Sequence, residues 1–195
     1  MQFYSAIRTV VRKLHDELPD WLTYHDYDHV RDVYRMAREI GKAEGLGDLQ
    51  LKLVLTAAIL HDIGFTISNA NHEKLSCDIA RELLPLFGYT NAQIEEIEGL
   101  IMATAIPHKP TNLAQMVLCD ADLDYLGRDD FFSRGDQLYH EFLHLGIVKD
   151  RKSWNMVQVK FLNQHRYFTQ TSIDSRASRK AAHLQAIEKQ LEEDQ

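Results

Sequence analysis

Apolar residues recur at three- and four-residue spacing along nearly all of this chain, the mark of helices with one buried face. Phe3, Ile7, Val10, Val11 and Leu14 make the first such face, which Pro19 closes. Val30, Val33, Tyr34, Ala37 and Ile40 make the second, over about 26–44, with Gly45-Leu46-Gly47 as its exit. From Asp48 to Leu60 the apolar positions cover several faces, which predicts a central, largely buried helix. After a break at Gly64–Ala70, Asn71 is placed to cap a helix carrying Leu75, Ile79, Leu83 and Leu84, closed by Pro85 and Gly88. Thr90, with Gln93 three residues on, predicts a capping box for a fifth helix through Ile94, Ile97, Leu100 and Ile101. Pro107 and Pro110 end it.

The second half continues in this way. Helices are expected over about 112–126 (Leu113, Met116, Val117, Leu118, Leu123) and 130–145 (Phe131, Leu138, Phe142, Leu145). Two more are expected over 152–166 (Trp154, Val157, Val159, Phe161, Leu162) and 173–192 (Ala177, Ala181, Leu184, Ile187, Leu191). No stretch alternates like a set of strands, no internal repeat is visible and no low-complexity linker divides the chain. The expectation is one all-α domain over residues 1–195, with its core region at about 20–130 and the helices of 130–192 packed on it. The charged end, Glu188–Gln195, is expected to fray.

At 195 residues the chain can bury a core without disulfides or a metal staple. Its 29 acidic and 22 basic residues leave a net charge of −7, which argues against long nucleic acid as a partner. It also lacks a basic stripe, zinc-finger spacing and a glycine-rich clamp loop. Two cysteines, Cys77 and Cys119, exclude a disulfide scaffold and favour a cytoplasmic setting. Met1-Gln2-Phe3-Tyr4 does not begin a signal-peptide pattern, and no apolar run approaches the about 18 residues of a membrane span. No membrane partner is therefore expected, and a homodimer is the base-rate expectation for assembly. Ten histidines are the departure from ordinary composition.

Their positions are informative. The apolar run Leu53–Leu60 leads directly into His61-Asp62, and Met116–Cys119 leads into Asp120 and Asp122. Ionisable groups at the edge of a core need a metal or a partner to offset their desolvation. His25 and His29 are four residues apart and share a face if both are helical. His72 opens the fourth predicted helix, and His108 follows the fifth. Imidazoles and carboxylates from separate helices are what Zn²⁺, Mn²⁺, Fe or Ni²⁺ sites use, whereas two thiols cannot make a cysteine-rich structural zinc site. Taken singly, each histidine reads equally as a surface or core-edge residue, and Asp120 as a helix-terminal group bonding backbone amides. His15, His140, His144, His165 and His183 keep that reading.

The ordered set His29, His61-Asp62 and Asp122, set in Tyr24-His25-Asp26-Tyr27-Asp28-His29, Leu60-His61-Asp62-Ile63-Gly64 and Asp120-Ala121-Asp122-Leu123-Asp124, resembles the HD-domain metal-dependent phosphohydrolase superfamily. The resemblance covers about residues 20–130 and weakens toward 190. It implies an all-helical fold and hydrolysis of phosphomonoesters or phosphodiesters of a small phosphorylated metabolite or nucleotide. It implies one or two divalent ions (Mn, Fe, Zn, Ni, Co or Mg) held by His29, His61, Asp62 and Asp122, with Asp120 the fallback in a shifted register. His72 and His108 match the two histidines that hold a second metal in binuclear members, with Asp62 between the metals and orienting water. His25 matches the residue that protonates the leaving group. Lys109, Arg128, Arg176 and Arg179 are the basic residues placed to meet substrate oxygens. The chain lacks the long extensions of the cyclic-nucleotide phosphodiesterases and the Gly-Tyr-Pro motif of the cyclic-di-GMP branch. Two other readings stay open: a mixed-valent di-iron oxygenase of the same superfamily, and a non-catalytic ligand-binding regulatory module.

Overall fold

The computed structural model describes residues 1–193, which form α1 (Phe3–Glu17), α2 (Tyr27–Ala43), α3 (Asp48–Leu60), α4 (His72–Leu83), α5 (Asn91–Ala103), α6 (Leu113–Asp122), α7 (Phe131–His144), α8 (Arg151–Gln164) and α9 (Gln170–Glu193). Short 3-10 turns at Ile63–Thr66, Leu84–Phe87 and Asp124–Gly127 join some of them, and no strand occurs among the described residues. The chain is thus an all-α helical bundle. The last two residues of the charged end expected to fray, Asp194 and Gln195, lie outside the described residues.

Helix α3 is the axis of the first core. Every residue from Leu53 to Leu60 is buried, so beyond its exposed first turn the helix has no solvent face to keep polar. It packs against α2, α5, α6 and α1. Val54, Leu60, Ile97, Leu100, Leu118 and Val30 are at most 1% exposed, and each such aliphatic side chain contributes about 1.5–3 kcal/mol through burial. Asp48–Thr66 together is long and apolar enough to cross a membrane by length and composition, but 72% of that stretch is buried inside the bundle. A second core gathers Tyr24, Leu123, Tyr125, Leu126, Phe131, Leu162 and Ile187 from the second half of the chain.

Local signals explain most boundaries. The Thr90–Gln93 capping box forms, as does one at Asp150–Ser153 for α8. The cap expected of Asn71 does not: its side chain bonds no helix amide, and its φ of 57° is left-handed. Asparagine tolerates that conformation, and the sharp turn sets His72 against Gly64, where an added Cβ would lie 2.0 Å from the His72 carbonyl oxygen. The helix expected over 112–126 ends at Asp122, and the following 3-10 turn packs on α9. There Gly127 is required, because a Cβ would meet the Arg176 carbonyl at 2.5 Å. Helix α9 begins three residues earlier than expected, where Thr169 Oγ1 accepts the Ser172 amide at 3.2 Å.

Candidate metal centre

The ends of three helices converge. Asp26 caps α2 by accepting the His29 amide at 2.8 Å, which places His29 in the first turn. His61 stands at the end of α3, where its Nδ1–H donates to the Ala58 carbonyl at 2.9 Å. That bond fixes the tautomer and leaves the Nε2 lone pair free for a ligand. Asp122 is the last residue of α6. The C-termini of α3 and α6 thus both point their negative ends at this region, which favours a cation.

The donor atoms of His29, His61 and Asp122 lie within 4.8 Å of one another. Asp62 joins them: its Oδ2 is 3.4 Å from His29 Nε2 and 3.1 Å from His61 Nε2. Asp122 Oδ1 is 3.2 Å from His29 Nε2 and 3.4 Å from His61 Nε2. Donors about 2.0–2.2 Å from one ion stand roughly 3.0–3.5 Å apart, so this spacing fits a shared divalent cation. His29 Nε2, His61 Nε2 and Asp62 Oδ2 are buried with no hydrogen-bond partner. Buried polar atoms are rarely left so, and three aimed at one point are placed to hold a metal ion.

The electrostatics agree. Burial alone would lower both imidazoles, but Asp62 and Asp122 outweigh it, raising His29 and holding His61 well above the ordinary imidazole value. Burial would raise both carboxyls, yet the facing histidines hold Asp62 and Asp122 well below the usual carboxylate range. Carboxylates that draw protons onto imidazoles draw a divalent cation in their place, leaving the rings neutral as ligation requires.

Comparison with known proteins agrees with this geometry. Residues 26–124, just over half of the chain, match the family model described as HD domain. The chain belongs to the HD domain family. An uncharacterized protein of Clostridium beijerinckii is 35% identical over 96 residues, covering 48% of this chain and 60% of that relative. The crystal structure of a predicted HD superfamily hydrolase from an uncultured Thermotogales bacterium is similar with a TM-score of 0.64 and 20% identity, over 95% of this chain and 91% of the other. A crystal structure from Lactobacillus plantarum has a TM-score of 0.72 at 20% identity, over 98% and 96% of the two chains. These likenesses show the fold. Fold and donor set together are those expected of an HD domain able to hold a divalent metal ion.

The remaining expected site residues of this HD domain protein fall in distinct places. His72 Nε2 is 3.5 Å from Asp62 Oδ1 and also 3.5 Å from Glu73 Oε1. His108 Nε2 is 3.8 Å from Asp122 Oδ2 but donates to the Thr104 carbonyl at 3.0 Å, so Nδ1, buried and unpartnered, is its free nitrogen. Asp120 is not in the cluster. Its two oxygens accept the Phe168 and Thr169 amides and the Thr169 hydroxyl, tying the start of α9 to α6. Lys109 is exposed and lines a separate cavity of about 300 Å³ with His108, His165 and Arg166. Arg128 lies among Asp32, Asp124 and Asp130 at 2.7–3.3 Å. Arg176 donates to Asp124 at 2.8 Å, and Arg179 pairs with Asp129 at the surface.

His25 is placed by means the sequence did not reveal. It precedes the N-cap of α2, so no helical face carries it beside His29. Glu141 of α7 holds it: Oε2 accepts from His25 Nδ1 at 2.6 Å, and Oε1 accepts the Tyr24 and His25 amides at 2.6 and 2.9 Å. Glu141 is 1% exposed. Burial would raise its carboxyl, but His25 and the two amides hold it below the usual range. Phe65 stacks between the rings of His25 and His72, at 4.6 and 4.1 Å. One signal for Glu141 was available: three residues after Leu138 and one before Phe142, it is an acid on an apolar face.

Proposed function

We propose that the protein is a phosphohydrolase that cleaves an ester of a small phosphorylated molecule. The observation that carries this reading is the convergence of His29, His61, Asp62 and Asp122, with unpartnered nitrogen and oxygen atoms aimed at one point. When bound, a divalent cation supplies Lewis-acid polarisation of a phosphoryl oxygen and acidifies water. The chain's own residues do the rest. Asp62 orients the attacking water through whichever oxygen is not spent on a ligand contact. His25, gripped at Nδ1 by Glu141, offers Nε2 to the leaving oxygen and gives it a proton. Glu141 fixes the ring's orientation and keeps the proton on Nδ1, so that Nε2 faces the site.

We infer that His72 and His108 complete a second metal position flanking Asp62 and Asp122, with His108 releasing Thr104 or using Nδ1 to do so. Lys109 faces the phosphoryl oxygens from the neighbouring cavity, while Arg128 and Arg176 hold Asp124 and α9. A cytoplasmic setting is supported by two buried, unpaired thiols. The test is phosphate release from a panel of phosphomonoesters and phosphodiesters, with and without Mn²⁺, Fe²⁺ and Ni²⁺. Release should require the cation and vanish in Asp62→Ala. Metal-independent release, or none from any ester, would overturn the reading.

A further inference from the structure

A cavity of about 330 Å³ opens directly from the metal cluster, with His25, Asp62, His72 and Asp122 at one end. Its remaining wall is built largely from the second core, including Leu126, Phe131, Leu138 and Phe161, with Phe142 and Trp154 beside them. The mouth is apolar as well, since Ile106 and Val157 line it while 57% and 36% exposed. Glu73 lines the cluster end beside His72, and beyond it no other charged side chain among the described residues lines the cavity. The Tyr24 and Tyr125 hydroxyls, also in the wall, are bonded to each other. Thr104 has already given its hydroxyl proton to the Ile101 carbonyl, and Gln158 an amide proton to Asn155.

This wall suits neither a nucleobase nor a sugar. Most buried hydroxyls and ring nitrogens of such a group would lose water without gaining a partner, because the few polar groups in this wall are largely engaged already. A hydrocarbon loses nothing polar and covers aromatic and aliphatic wall that water wets poorly. Taking roughly 30 Å³ per methylene-sized group, the volume share of a water molecule, the cavity holds about ten such groups.

We propose that the substrate is a phosphate ester of an apolar alcohol, whose alkyl or aryl group fills this cavity while its phosphoryl group meets the metal cluster. This rests on the phosphohydrolase reading of the same site and replaces the expected nucleotide. The step is hydrolytic and balanced: water's oxygen joins phosphorus, the bond from phosphorus to the alcohol oxygen breaks, and that oxygen departs with a proton from His25. The products are inorganic phosphate and the free alcohol, with no change in oxidation state.

Two measurements on the Mn²⁺-loaded protein test it. Methyl-, butyl- and octylphosphonate, which cannot be hydrolysed, are titrated calorimetrically. Affinity should rise about fourfold per methylene until the cavity is filled. Phosphate release is then compared for ethyl phosphate, octyl phosphate, AMP and glucose 6-phosphate. Octyl phosphate should exceed the other three in kcat/KM by 100-fold or more. Val157→Trp, a change at the exposed mouth, should cut the octyl-to-methyl affinity ratio at least tenfold while the Mn²⁺ content stays the same. Chain-length-independent affinity, a preference for AMP or glucose 6-phosphate, or an unchanged ratio in Val157→Trp would overturn the proposal. Affinity that climbs with chain length without phosphate release from any ester would overturn the phosphohydrolase reading and leave the apolar cavity's ligand class standing.

Discussion

His25 and His29 sit four positions apart, yet different forces hold them. His29 is set by the cap of α2 and faces two carboxylates, whereas His25 is set from a distant helix by Glu141. The roles should separate accordingly. His25→Ala is expected to keep the full metal content while turnover of an unactivated alkyl ester drops by roughly 10²–10⁴-fold. A nitrophenyl ester, whose leaving group hardly needs a proton, should lose far less. Glu141→Gln keeps an oxygen for the two backbone amides but removes the charge, and should shift the same activated-to-unactivated ratio in the same direction by a smaller factor. If both ratios stay at the wild-type value, the proton-donor assignment fails. What the sequence showed at this scale was the donor set: His61-Asp62 and Asp122 follow apolar runs, and His29 belongs with them in the ordered set that resembles the HD superfamily. The role of Glu141 stayed hidden, because its partner lies 116 residues away.

Among the elements, the joint between α4 and the His61-Asp62 segment governs the site. Ser76 is fully buried; its hydroxyl donates to the His61 carbonyl at 2.7 Å and accepts the Gly64 amide at 2.8 Å. Ser76→Ala would leave both backbone groups buried without partners, a loss of about 1–3 kcal/mol. Thermal unfolding should register it as a Tm lower by several degrees, and a Tm within a degree of wild type would show that water or relaxation replaces the hydroxyl. Most helix boundaries were legible because capping residues and apolar periodicity act locally, as at Thr90 and along α3. Asn71 misled for a local reason too: the residue type that caps helices also tolerates the left-handed turn it adopts here. The early end of α6 was hidden, since the turn after Asp122 is set by packing on α9 around Gly127.

On the scale of the whole molecule, the site lies where a first core around α3 meets a second core around α7, α8 and α9, and that meeting was not legible. Periodicity says which face of each helix is buried but not which helix covers it, so the apolar cavity beside the cluster appears only in three dimensions. His165 reports on the packing of α8 and α9. Burial, with Lys180 and His108 facing it and Asp122 pulling the other way, depresses its pKa to about 3. The unfolded chain takes up this proton near pH 6.5. Stability contributed by neutral His165 is therefore present above pH 6.5 and lost as pH falls toward 3. Between pH 7.5 and 5 the wild type should lose more Tm than His165→Gln; equal losses would mean the folded protein accepts the proton.

The metal centre itself is tested most directly by calorimetric titration of Mn²⁺ into chelator-treated protein, beside His61→Ala and Asp122→Asn variants whose folding is checked by circular dichroism. Wild type should bind one or two equivalents, and both variants should lose the tighter one while remaining helical. Mn²⁺ binding that is absent from the wild type, or undiminished in both variants, would contradict a metal centre built from His29, His61, Asp62 and Asp122.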